Sequence, residues 1–321
     1  VVLVRSSKSI KAADLLPSNI GRASRVHALI NAFGLQQKLT VIAPVPLTNR
    51  ELEDFHSEDY INCLLSTGDG DGESQLAEYG LLDDCYMFDG VEQHVRYAAG
   101  GTVSAARCLA NGDAGVAVHW EGGRHHCKRE QASGFCYVND IVLGILELNK
   151  TFSRVLYVDM DLHHGDGVQD AFLYSSRVMT LSLHHYDRGF YPNTGANDES
   201  FLQAFEEATG LARSAEATGL AGDPYKIFNL TTDAPVLGWG IPTLLLGGGG
   251  YSSVNCARCW TRLTAIACGQ DIDVSADIPD HEFYEEYVPV FTMAIDRRLV
   301  PDENTPESIS STIDQIRSSH H

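Results

Sequence analysis

Along the 321 residues, short charge-poor apolar runs alternate with longer stretches of helical spacing. The runs cover residues 1–4, 40–43, 115–120, 154–159, 178–183 and 243–246, and they are rich in Val, Leu and Ile. Runs of that kind read as strands buried on both faces. Between them lie helical patterns at 22–33, with Gly34 as the stop, and at 90–111, where Ala98, Gly100, Gly101, Ala105 and Ala106 suit close packing. Two short helices are predicted within 48–65, and further ones over 139–148, 168–174, 255–267 and 309–316. Residues 67–73 read as an acidic surface turn rather than a calcium loop, because the EF-hand Glu spacing is missing. A loop-rich tail begins at Pro279. This alternation predicts a single α/β domain over 1–319, a mostly parallel central sheet with helices on both faces. His320-His321 reads as the stub of a purification tag.

Composition narrows the function. A formal charge of −20 argues against direct grip on nucleic acid and fits a cationic partner, such as a lysine-rich peptide or a polyamine. The eight cysteines are scattered, which describes a reducing compartment rather than a disulfide framework. Cys256 and Cys259 form a lone CxxC better read as helical core than as half a zinc site. No apolar run is long enough to span a membrane, and no signal peptide pattern opens the sequence.

The chemistry concentrates at strand ends. Asp159, Asp161 and His163 are spaced two apart where the run 154–159 finishes, so all three can leave on one face, and His164, Gly165 and Asp166 follow. Carboxylates there are costly unless paired or bound to a cation. His125-His126 follows a second strand, and Tyr251 sits behind four glycines after a third. Ligands of open α/β sheets bind at such carboxyl ends.

These residues resemble a class I zinc-dependent histone deacetylase of the arginase-deacetylase fold. The likeness rests on His125-His126, Ala132-Ser-Gly-Phe-Cys-Tyr-Val-Asn-Asp140, the stretch 157–167, Gly189-Phe-Tyr-Pro192, Ala221-Gly-Asp-Pro224 and the stretch 247–251. It implies that Asp161 and His163 bind Zn²⁺, which would polarise an acetyl carbonyl and acidify water. His126 would be the general base and then the acid, with His125 its electrostatic partner. Asp159 and Asp166 would accept hydrogen bonds from His125 and His126 respectively. Tyr251 would donate to the oxyanion. Gly134, Phe135 and Tyr191 would wall a tunnel for the lysine stem, and Asp84 would hold the substrate backbone. A structural K⁺ would use Asp159, Asp161, His163, Ser182 and Leu183. The implied substrate is an acetylated lysine peptide or histone tail, with corepressor-type partners and a nuclear or nucleo-cytoplasmic location. An acetylpolyamine is the alternative substrate.

Two departures from the family pattern stand out. The third metal ligand of the family is an Asp shortly before Ala-Gly-Asp-Pro, and Thr218 holds the aligned position here. Taken literally, that favours a metal-deficient binding module. The interval 195–219 is also short for the family's loop, helix and central strand, and 231–237 is short again. The expectation is that residues carrying that strand and the third ligand are absent from this sequence. Second, Arg124 stands where the family usually has an aromatic residue, and we expect it to line a cavity near the metal.

Overall fold

All six apolar runs become strands. The computed structural model describes residues 1–66, 72–186, 188–195, 227–228 and 237–295, with residues 305, 307, 311 and 314. The strands are β1 (Val2–Val4), β2 (Thr40–Ile42), β3 (Val116–His119), β4 (Val155–Asp159), β5 (Val178–Ser182), β6 (Ile227–Phe228) and β7 (Thr243–Leu246). They form one sheet in the order β2-β1-β3-β7-β6-β4-β5, and every pairing is parallel. The two-residue β6 was not foreseen. It bridges β4 and β7, with Ile227 opposite Tyr157 and Leu244. It closes what would otherwise be two open sheet edges, while nearly all of the interval 195–219, where residues carrying a strand are expected to be absent, lies outside the described residues.

Alternation along each strand sends side chains into two cores. Leu3, Val118, Val158 and Leu245 face one way, meeting Val26, Leu29 and Ile30 of α2 (Arg22–Ala32). Val2, Val4, Ala117, Tyr157, Leu244 and Leu246 face the other, meeting Ala105, Ala106, Ile141 and Ile145. These last come from the helices over 91–110 and 140–148 described below. A fully buried apolar side chain of this size contributes roughly 1.5–3 kcal/mol, so two such layers dominate the stability.

The helices follow the sequence pattern with two additions. Before α2 lies α1 (Ser7–Asp14), and after it α3 (Asn49–Leu52), α4 (Glu58–Leu65), α5 (Glu73–Glu78), α6 (Val91–Ala110), α7 (Asp140–Leu148), α8 (Asp166–Phe172) and α9 (Ser253–Ala267). Helices α1 and α5 were not predicted. In α1 only Ser9 and Ala12 are buried, and in α5 nothing is, so neither carries an apolar stripe to read. A capping box between Ser6 and Ser9 starts α1 instead. In α6, side chains at Gly100 and Gly101 would collide with the Val45 carbonyl and the His119 ring, so these glycines set how closely the helix meets the sheet. Trp260 of α9 stacks on Trp120 at 5.3 Å between ring centroids. Cys256 and Cys259 lie in α9, and all eight cysteines are free. No helix among the described residues is long and apolar enough to cross a membrane. The turn at 67–71, the intervals 196–226 and 231–236, most of the predicted helix 309–316 and His320-His321 lie outside the described residues.

Candidate active site

Because the strands are all parallel, their carboxyl ends share one edge, and the ends of β3, β7 and β4, the last two separated by β6, deliver the predicted site residues there. The segment after β3 carries His125 and His126, that after β4 carries Asp161, His163 and Asp166, and that after β7 carries Tyr251. The Asp161 carboxylate accepts from the Gly249 amide at 3.3 Å, which ties the β4 and β7 ends together.

Each histidine of the pair meets its own carboxylate. His125 Nδ1 lies 2.6 Å from Asp159 Oδ2, and His126 Nδ1 lies 2.7 Å from Asp166 Oδ1. The Tyr157 hydroxyl donates to Asp159 Oδ2 at 2.6 Å and the Asp161 amide to Oδ1 at 3.0 Å, so Asp159 is fully engaged. The two imidazoles are electrostatically unlike. Burial opposes charge on His125, but the Asp159 carboxylate, aided by Asp161 and Asp166, overrides it and raises the pKa to about 9. Burial also lowers the His126 pKa, and there Asp166 does not make up the loss, partly because charged His125 is adjacent. The surroundings therefore favour the charged form of His125 and the neutral form of His126. Asp159 and Asp166 both stay below the usual carboxylate range: burial pushes each up, and the facing histidines, with Lys128 at Asp166, more than reverse it.

Asp161 and His163 are the metal-ligand candidates. His163 Nδ1 stands 3.3 Å from Asp161 Oδ1. Two donors holding one tetrahedral zinc by bonds of about 2.0–2.2 Å stand about 3.3–3.5 Å apart, so this spacing fits the ion. Among the described residues no group of three His, Cys, Asp or Glu side chains able to hold a metal is present. Thr218 lies outside them.

Aromatic residues surround this pair. Phe190 stacks on the His163 ring at 5.1 Å, and Tyr191 meets the His126 ring edge-on at 4.9 Å. Phe135 faces Tyr251 at 5.7 Å. Both Gly134 and Phe135 have positive φ, at 55° and 63°. A side chain at Gly134 would strike the His126 ring, so the loop needs glycine to lie flat against the site. Asp84 accepts from the Gly134 amide at 3.0 Å and, with Leu16, Tyr86, Phe135, Tyr137 and Tyr251, lines a cavity of about 390 Å³. Tyr251 is 58% exposed.

The cation candidates Ser182 and Leu183 are also at this edge. Ser182 is opposite Asp159 in the β4–β5 register, and the Leu183 amide donates to the Asp159 carbonyl at 2.9 Å. Ser182 Oγ accepts from the Gly165 amide and bonds His184 Nδ1. Arg124 is not in solvent: it is 5% exposed and lines a small internal cavity with Arg22, Glu121, Trp120 and Trp260.

Several supporting residues escaped the sequence reading. Asp140, fully buried, accepts from the amides of Gly123 and Arg124 at 2.9 and 2.7 Å and fixes the approach to the histidine pair. Asn139 Nδ2 donates to the Cys127 carbonyl at 2.9 Å. Arg22 donates to the carbonyls of Gly249 and Gly250, both at 2.8 Å, and holds the turn that presents Tyr251. An Asp opening an otherwise apolar helix was the available signal for Asp140. For Arg22 there was none, since its partners are 227 and 228 positions away.

Comparison with known proteins agrees with this geometry. A family model described as histone deacetylase domain matches residues 16–218. Histone deacetylase 8 of Danio rerio is 40% identical, covering 99% of this chain and 94% of that protein. Histone deacetylase 8 of Xenopus tropicalis is 39% identical over 98% of this chain and 96% of that protein, and histone deacetylase 6 of Arabidopsis thaliana is 35% identical over 91% and 71%. The Danio rerio alignment runs over 357 positions, more than the 321 residues here, so part of that relative has no counterpart in this chain. The chain belongs to the class I histone deacetylase family and is a protein deacetylase enzyme.

Proposed function

We propose that this histone deacetylase hydrolyses the Nε-acetyl amide of a lysine, on a histone tail or another protein, giving the free amine and acetate. The unequal histidine pair carries the reading: a neutral His126 beside a cationic His125, each anchored to a different carboxylate. Neutral His126 accepts a proton from water as the oxygen adds to the acetyl carbon. The same proton passes to the lysine nitrogen as the carbon–nitrogen bond breaks. The Asp166 bond at Nδ1 leaves the other ring nitrogen for this task. His125 stays protonated and stabilises the negative charge that develops. Partial burial, with the nearby Asp161 carboxylate, raises the Tyr251 pKa, so its hydroxyl keeps the proton it donates to the oxyanion.

Asp161 and His163 would hold Zn²⁺, the family's third ligand, an Asp, being replaced in this sequence by Thr218, and the ion would supply Lewis acidity toward the carbonyl. The walls Gly134, Phe135 and Tyr191 suit a methylene stem, and Asp84 suits the amides of a peptide backbone. A K⁺ among Asp159, Asp161, His163, Ser182 and Leu183 would stiffen the β4–β5 end. The family also suggests corepressor-type partners and a nuclear or nucleo-cytoplasmic location.

Measurement of zinc content together with hydrolysis of an acetyl-lysine peptide tests the proposal. We expect about one zinc per chain and peptide turnover. Turnover of acetylpolyamines but not peptides would move the substrate class. Thr218 at the third ligand's position supports a second reading, a binding module without metal. Protein that binds acetyl-lysine peptide yet holds no zinc and stays inactive after zinc is added would establish it.

A further inference from the structure

Lys128 has no part in the chemistry proposed above, yet it touches the carboxylate that orients His126. Its ammonium lies 2.7 Å from Asp166 Oδ2, the oxygen His126 does not use, and 2.6 Å from Asp170 Oδ2. Asp166 and Asp170 are one turn apart on α8 and so share a face. His126 and Lys128 leave the facing loop two positions apart. The two elements touch closely: a side chain at Gly167 would press on the carbonyl oxygens of His125 and Cys127. The result is an unbroken row, Asp170–Lys128–Asp166–His126, running from a half-exposed carboxylate to a buried imidazole.

We propose that Lys128 is a positioning residue that locks the rotation of the Asp166 carboxylate, so that Oδ1 stays on His126 Nδ1 and the ring keeps one orientation. A carboxylate bonded at one oxygen only can turn about its Cβ–Cγ bond, and the imidazole it holds turns with it. With a cation on the second oxygen, rotation breaks two charge-assisted bonds at once. Asp170 fastens the ammonium from outside, so the clamp has two anchors on one rigid helix face.

The inference rests on the deacetylase reading for its kinetic arm only, because the hydrogen bond itself can be observed without turnover. In the metal-loaded protein, the proton shared by His126 Nδ1 and Asp166 is expected as a far-downfield NMR line. Its loss in His126→Gln distinguishes it from the line of the His125–Asp159 pair. Lys128→Met is expected to broaden or shift this line and to lower kcat about 10- to 100-fold. KM and zinc content should stay within about twofold of the parent, and Lys128→Arg should restore both line and rate. Asp170→Asn, which leaves the lysine in place, is expected to give a smaller loss of about threefold in kcat. An unchanged line in Lys128→Met overturns the proposal. So does equal loss in Lys128→Arg and Lys128→Met with matching falls in Tm, which would mark a purely structural ion pair. A parent protein with no turnover would sink the deacetylase reading, and the NMR line would still decide the role of Lys128.

Discussion

The chain buries two sets of histidines against carboxylates, and the proposed chemistry uses one of them. At the sheet's carboxyl edge, His125 and His126 each hold a separate aspartate through Nδ1. At the end of β3, just before the histidine pair, His27 and His119 share the single carboxylate of Glu121, at 2.5 and 3.2 Å. All five side chains that differ between the sets in role are similar in burial, 0–5% exposed for the four histidines and 3% for Glu121. What differs is the fate of the remaining ring nitrogens. His119 spends both on the backbone carbonyls of Val4 and Ala98, and His27 Nδ1 is enclosed without a partner. His126, by contrast, meets Tyr191 and the glycine loop at the mouth of the site. Burial and pairing alone therefore do not separate the two sets; a second ring nitrogen left unspent by the fold does, and the proposed proton transfer uses it.

The sharpest way to break the contrast is to remove a metal-ligand candidate beside the first set and the shared carboxylate of the second. Asp161→Ala or His163→Ala should abolish zinc binding and lower peptide turnover at least about 10³-fold, with little change in Tm beyond the stabilisation that bound zinc supplies. Glu121→Gln should do the reverse. Breaking a buried pair costs about 3–5 kcal/mol, so its urea midpoint should fall sharply while each folded molecule keeps its turnover. Loss of turnover in a fully folded Glu121→Gln protein would end the distinction.

Within the active set, His126→Ala should lower kcat about 10²- to 10⁴-fold with zinc content unchanged. Because its pKa is lowered, the acid limb of kcat against pH should fall below the ordinary imidazole value near 6.5. An acid limb above that value would contradict the assignment.

Buried neutral histidines elsewhere predict a smaller, thermodynamic effect. Burial pushes His56 down to about 4, and in His94 burial with nearby Arg124 pushes it down to about 3. A folded pKa below the unfolded one means that stability is full above about pH 6.5 and is lost as pH falls toward these values. His56 accounts for about 3 kcal/mol of that loss, readable as a falling urea midpoint between pH 7 and pH 4. His56→Gln should flatten the curve. The least change is expected from Asp84→Ala, which removes one rim carboxylate: KM for a peptide should rise about 3- to 10-fold while kcat holds.

Much of this was legible before any coordinates. The strand ends at Asp159 and Leu246 and the helix at 91–110 were clear because apolar runs and small-residue faces repeat locally. The His125–Asp159 and His126–Asp166 pairings came with the family resemblance, not with spacing. The two-residue β6 was not legible, since so short a strand has no period to detect. Nor was the Glu121 cluster, because His27 and Glu121 are 94 positions apart and each alone resembles an ordinary surface residue. Lys128 was hidden for a related reason. Its meaning lies in a helix face that appears only when Asp166 and Asp170 are wound onto one turn.

The bonds from Arg22 to the carbonyls of Gly249 and Gly250 have a consequence for biosynthesis. On the ribosome, the histidine pair and the β4 carboxylates emerge well before the turn that bears Tyr251. Emergence alone does not gather them, because β7 and β6 lie between β3 and β4 in the sheet, so the imidazoles and aspartates meet only once β7 and its turn have been made. Arg22 waits, and its two bonds close only when the last strand of the sheet has been made. The same latch would make a nick anywhere between these points tolerable only while the two pieces stay folded together.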